Sequence, residues 1–212
     1  MGQGDGSKAV EIQQLADLCL RHLRAGTVKI ICVGGLPGSG KTTVALDLAG
    51  RLSAQYLSSD EIRDELRVEQ VVHPAPARWR TGAYSPSAIA DVYEEMRRRT
   101  RLSVEHGISV VLDASWNDAT ERAAVAALAH SCSAELAQFC CGVDDVVAER
   151  RLHGRQGGTS DADQSIRVAM RGSFAPWPGA TKLDTSGAGD FAARRAFDAV
   201  TKRRTEPAHP GR

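Results

Sequence analysis

Gly35-Leu36-Pro37-Gly38-Ser39-Gly40-Lys41-Thr42 matches G-x-x-x-x-G-K-[ST] at every defined position, and this stretch decides the fold. Its glycines let the backbone wrap closely, so that successive amides can point at phosphate oxygens. A helix beginning at Lys41 adds its positive end to the same anion. Lys41 is placed to reach the β- and γ-phosphates of a nucleotide, and the Thr42 hydroxyl to ligate Mg²⁺. Thr43 extends this nucleotide-binding run to 35–43. At the average glycine usage of ~7%, a chance match in a chain of this length is on the order of one per cent. The context narrows it further: 27–33 reads as a buried strand before the loop, and 41–53 as an apolar-faced helix after it.

Outward from the loop, strands and helices alternate. The pattern predicts a strand at 55–58, a charged helix from about 60, a helix at 87–105 and a strand at 108–112. It continues with a helix at 120–130, a strand at 135–141, a helix at 145–152, a strand at 181–185 and a helix at 191–203. Residues 71–86 hold three prolines with His73, Arg78, Trp79 and Arg80, and read as an irregular, substrate-facing insertion. The segment 154–159 is a Gly-rich loop, and Ser160-Asp161-Ala162-Asp163 has capping-box spacing for the helix after it. Before the loop, 8–25 carries apolar residues at helical spacing. The expectation is an α/β fold with a mainly parallel sheet and helices on both faces. Residues 1–26 form a loose start and an appended helix, 27–203 the domain, and 204–212 a polar tail.

Composition removes several classes. Lys plus Arg is 27 against Asp plus Glu at 26, a net charge of +1, which weighs against a dedicated binder of long nucleic acid. The longest apolar run, 123–129, is far short of the ~20 residues that cross a bilayer, and no signal-like start is expected. The cysteines Cys19, Cys32, Cys132, Cys140 and Cys141 have no C-x-x-C, and the six histidines no zinc spacing. A reducing cytoplasm is the expected compartment.

Three further elements carry candidate chemistry. Asp60 in Ser59-Asp60-Glu61-Ile62-Arg63 stands at the end of the second strand, at the carboxyl edge where open α/β folds bind ligands. It could take the proton of an attacking hydroxyl, or merely cap the helix that follows. Arg63, one turn later, could hold an acceptor or a phosphate. Asp113 ends the apolar run 110–113 and could act through Mg²⁺ and water, contact substrate, or cap a turn. Arg151 and Arg155, four apart beside the Gly-rich loop, could close over transferring phosphates. Trp116 and Asn117 could line the same mouth, and Arg97, Arg98, Arg99 and Arg101 read as a solvated basic face.

With these residues in order, the chain resembles the P-loop kinases related to adenylate and gluconate kinases. It looks most like the AAA-domain predicted kinases and the 5′-hydroxyl kinase domain of polynucleotide kinases, with zeta toxins as cousins. The resemblance spans about 28–200. It implies a five-stranded parallel sheet in order 2-3-1-4-5, ATP and Mg²⁺, Asp60 as base, Arg63 as acceptor contact, and an arginine lid around Arg151 and Arg155. Asp113 matches the strand-three acid, whose role varies in the group. The activity implied is phosphoryl transfer to a hydroxyl of a small molecule. The acceptor itself does not carry over.

Two mimics fail on position. Thr181-Lys182-Leu183-Asp184 imitates a guanine-reading motif but lies in the last predicted strand, with no switch motif beside it. Gly187-Ala188-Gly189-Asp190-Phe191-Ala192 imitates a dinucleotide turn, yet too little chain follows for its βαβ unit. The rivals that stand are an ATP-binding or ATPase switch acting through a partner, and a polynucleotide 5′-hydroxyl kinase.

Overall fold

Ile30, Ile31, Cys32 and Val33 are completely buried, because strand β1 (Lys29–Gly34) lies at the centre of a sheet covered on both faces. The computed structural model describes residues 26–69, 85–154, 164–187 and 190–201, with positions 8, 12, 13, 15 and 16 of the leading segment, which are helical. The readings made for most of 71–86, for 155–163 and for 204–212 lie outside these residues.

The elements follow in the predicted order. After β1 come α1 (Lys41–Leu52), β2 (Gln55–Ser58), α2 (Ser59–Glu69), α3 (Pro86–Glu105), β3 (Val110–Asp113) and α4 (Ala119–Ser131). Then come β4 (Glu135–Gly142), α5 (Asp145–His153), α6 (Gln164–Ser173), β5 (Thr181–Asp184) and α7 (Phe191–Thr201). The sheet is parallel, in order β2-β3-β1-β4-β5.

Alternation along the central strands builds two cores. Ile30 and Cys32 face α3 and α4, where Met96, Val92, Val125 and Leu128 are buried with them. Ile31 and Val33 face α1 and α7, packing with Val44, Leu48, Phe139 and Ala196. Each fully buried aliphatic side chain contributes about 1.5–3 kcal/mol.

Strand β3 starts two residues later than the pattern predicts. Gly107 turns the chain at φ 78°, and Ile108 still bonds back to the Ser103 carbonyl. Ser109 Oγ accepts from the Lys29 amide, so the ladder opens only at Val110. The basic face of α3 is tied down: Arg97 pairs with Glu121, Arg98 and Arg99 with Glu95, and Arg99 also with Glu65. No helix among the described residues is long and apolar enough to cross a membrane.

Candidate active site

Register brings the candidate elements to one edge. Asp113 pairs in register with Val33 on one side and Ser58 on the other, so the loop after β1, the start of α2 and the strand-three acid share the carboxyl end of the sheet.

The phosphate loop is shaped for close approach. Gly38 has φ 77°, and a Cβ there would lie 2.8 Å from the Ala148 carbonyl oxygen. A Cβ on Gly35 would meet the Cys141 carbonyl oxygen at 2.5 Å. Gly38→Ala should therefore distort the loop, lowering both nucleotide affinity and the thermal midpoint, which calorimetric titration with ADP and thermal melts check. Lys41 is only 7% exposed, and among the described residues no carboxylate pairs with it. A buried cation is expensive without a counter-charge. The Ser39 hydroxyl is likewise buried without a hydrogen-bond partner among the described residues. Glycines at the approach points, an orphan hydroxyl and a solitary ammonium fit a bound polyphosphate.

Asp60 does not cap α2. That role falls to Ser58, whose Oγ accepts from the Asp60 amide at 3.2 Å and more weakly from the Glu61 amide at 3.5 Å. The Asp60 carboxylate instead accepts a hydrogen bond from Arg63 one turn on, both side chains largely buried. Lys41, Asp60 and Arg63 all line one cavity of about 520 Å³. Its remaining walls come from α3 (Ile89, Tyr93), the 115–118 segment, the start of α4 (Thr120, Glu121) and α6 (Ile166, Met170). Asn117 is among them, while Trp116 is buried behind, stacked edge-on against Tyr93 at 5.2 Å.

Asp113, Thr42 and Arg151 lie outside that lining. Asp113 is buried at 3% exposure and accepts from the Tyr56 hydroxyl at 2.8 Å. Burial, and then the charge of Asp113, push the Tyr56 phenol far above its ordinary value, so it remains a donor. Nearby Cys141 is pushed up to about 12, mainly by burial, and is a core thiol. Thr42 is half-buried and Thr43 exposed, in the first turn of α1. Arg151 reaches the phosphate loop from α5: its Nη2 donates to the Thr185 carbonyl at 2.6 Å. Its Nη1 is buried without a partner among the described residues, 3.1 Å from where a Cβ on Gly40 would sit. Thr185 in turn donates to the Ser39 carbonyl at 2.6 Å. Arg155, its expected companion, lies outside the described residues.

One group was missed by the sequence reading. Arg167 of α6, 6% exposed, donates to the Pro37 carbonyl at 2.5 Å and to Asp145 at 3.0 Å. Arg171 and then Arg167 hold the Asp145 carboxylate below its ordinary range. Because a peptide is planar and trans, a donor fixed on the Pro37 oxygen also fixes the direction of the Gly38 N–H. Ile166 and Met170 of the same helix wall the cavity, so α6 touches both halves of the site. The available signal was an arginine beside two apolar residues at i and i+4. Arg167→Ala should weaken ADP binding ~10-fold or more, the scale of a hydrogen bond from a charged group, and isothermal titration of both proteins checks it.

The sequence model of the AAA domain matches residues 30–177, most of the chain. The chain belongs to the AAA domain family. This AAA domain is 33% identical, over 195 residues, to uncharacterized proteins of Mycobacterium tuberculosis and Mycobacterium bovis. The match takes in 92% of the chain but only 39% of those relatives' length. Among solved structures it superposes on a sugar kinase from Janibacter (TM-score 0.58, 15% identity, 83% of this chain and 99% of that one). A gluconokinase from Sinorhizobium meliloti gives 0.58 at 15%, covering 82% and 91%. The Mycobacterium tuberculosis APS kinase, in complex with AMPPNP and APS, gives 0.59 at 17%, covering 82% and 96%. At such identities the likeness is one of fold, and the fold is that of the P-loop kinases.

Proposed function

We propose that this AAA domain is an ATP-dependent kinase that transfers the γ-phosphoryl group to a hydroxyl of a small molecule. The observation that carries this reading is the single cavity into which Lys41 of the phosphate loop and the Asp60–Arg63 pair both open. Its volume is in the range of small-ligand sites, and its apolar walls on α3 and α6 suit the exclusion of water from a reacting hydroxyl. The net charge of +1 favours a small acceptor over a polynucleotide end. The structural neighbours named above are kinases, in keeping with the reaction class.

ATP with Mg²⁺ supplies the phosphoryl group and neutralises part of its charge. The loop amides of 35–43 hold the phosphates, Lys41 compensates charge that builds during transfer, and the Thr42 hydroxyl would help to hold the magnesium. Asp60 accepts the acceptor's proton on its carboxylate, and Arg63 keeps that carboxylate turned toward the cavity. Arg151, with Arg155, closes the phosphate side. The cysteines described are all free, in keeping with a reducing cytoplasm.

A phosphate-transfer screen tests the proposal. The protein is incubated with ATP, Mg²⁺ and pools of hydroxyl compounds, and products are sought by mass spectrometry. One added phosphoryl group on an organic acceptor is expected. Release of inorganic phosphate alone, whatever the pool, would favour the switch reading instead.

A further inference from the structure

We propose that Tyr56 is a positioning residue for Asp113, holding one carboxylate oxygen so that the other serves the magnesium shell of a nucleotide in the phosphate loop. The inference rests on the nucleotide·Mg²⁺ reading above and adds to it a residue from the adjacent strand.

The sheet register makes the contact. Tyr56 pairs with Val111 and Ser58 with Asp113, so Tyr56 lies diagonally two residues back on the neighbouring strand. That spacing suits a long aromatic side chain reaching along the sheet face. The Tyr56 hydroxyl donates to Asp113 Oδ2 at 2.8 Å, while Asp113 Oδ1 is buried with no hydrogen-bond partner among the described residues. A buried carboxylate with one oxygen satisfied and the other bare is incomplete. The nearest chemistry that completes it is a hard cation or the water bound to one, because carboxylate oxygens are preferred ligands of Mg²⁺. Ser58, the cap of the helix that carries Asp60, lies two residues after Tyr56 on the same strand and pairs in register with Asp113. Phenylalanine in place of Tyr56 would fill the same space and leave Asp113 free to turn.

The experiment compares ADP binding by calorimetry in saturating Mg²⁺ and in EDTA. It uses the parent, Tyr56→Phe, Asp113→Asn and the double variant, each first melted without ligand to confirm folding. Partners that orient a metal-facing carboxylate are worth ~10-fold or more in metal-dependent affinity. Tyr56→Phe should therefore cut the Mg²⁺-dependent gain in ADP affinity ~10-fold, with affinity in EDTA unchanged. If Tyr56 acts through Asp113, the double variant is no weaker than Asp113→Asn alone. A Mg²⁺ gain in Tyr56→Phe equal to the parent's overturns the proposal, as does a loss that adds in full to that of Asp113→Asn. A drop of equal size in EDTA also overturns it, marking Tyr56 as a packing residue. A parent protein that binds no ADP under either condition overturns the nucleotide reading, and this proposal with it.

Discussion

Lys41→Met should abolish measurable phosphoryl transfer, with turnover lower by ~10²–10³ or more, the scale seen when one fixed charge-stabilising donor is removed. The substitution keeps the aliphatic stem of a side chain that is 7% exposed, so the core around α1 stays filled. The ammonium has no carboxylate partner among the described residues. It opens into the cavity, so its removal costs the ligand-free fold no ion pair among the described residues. Two results follow together. The ligand-free variant should melt no lower than the parent, and the stabilisation that ATP·Mg²⁺ gives the parent should be missing. Thermal melts with and without nucleotide, beside initial rates, measure both. A variant that is destabilised without ligand yet keeps the nucleotide response would mean that Lys41 serves packing.

Asp60→Asn should leave ADP affinity unchanged and lower transfer by ~10²-fold, the low end for general-base catalysis. The low end is expected because a loose phosphoryl-transfer transition state needs little help from a base. The structure makes the comparison clean. Ser58, not Asp60, satisfies the amides at the start of α2, so helix capping survives. The amide oxygen can still accept from Arg63, so the side chain keeps its place. Initial rates on an acceptor found by screening, with calorimetry of ADP binding, separate the two effects. Unchanged transfer would move the base role to Asp113 or remove it.

Local signals were legible in the sequence. The glycine spacing of 35–42, the apolar runs of β1 and β3 and the acids that follow β2 and end β3 are short-range patterns, whereas the sheet order came from the resemblance that those motifs carry. Contacts between distant segments were not legible. Arg167 meets Pro37 across 130 positions, and Tyr56 meets Asp113 across 57. Neither spacing marks a pair, since only the completed sheet and the placement of α6 bring them together. The cap of α2 also escaped, because Ser58, Ser59 and Asp60 are all good capping residues, and the backbone alone chooses among them. The acceptor side stayed open for a similar reason: its walls come from α2, α3, the 115–118 segment, α4 and α6, with no motif in common.

In a kinase, ATP is consumed only as an acceptor hydroxyl takes the phosphoryl group. The most direct test of this coupling is the ratio of ADP formed to phosphorylated organic product, measured with and without a hydroxyl compound that the screen identifies. A ratio of about one is expected with the acceptor present and little ADP without it, since Asp60 then has no acceptor hydroxyl to deprotonate. ADP and inorganic phosphate formed at the same rate without any acceptor, and equally by Asp60→Asn, would contradict it.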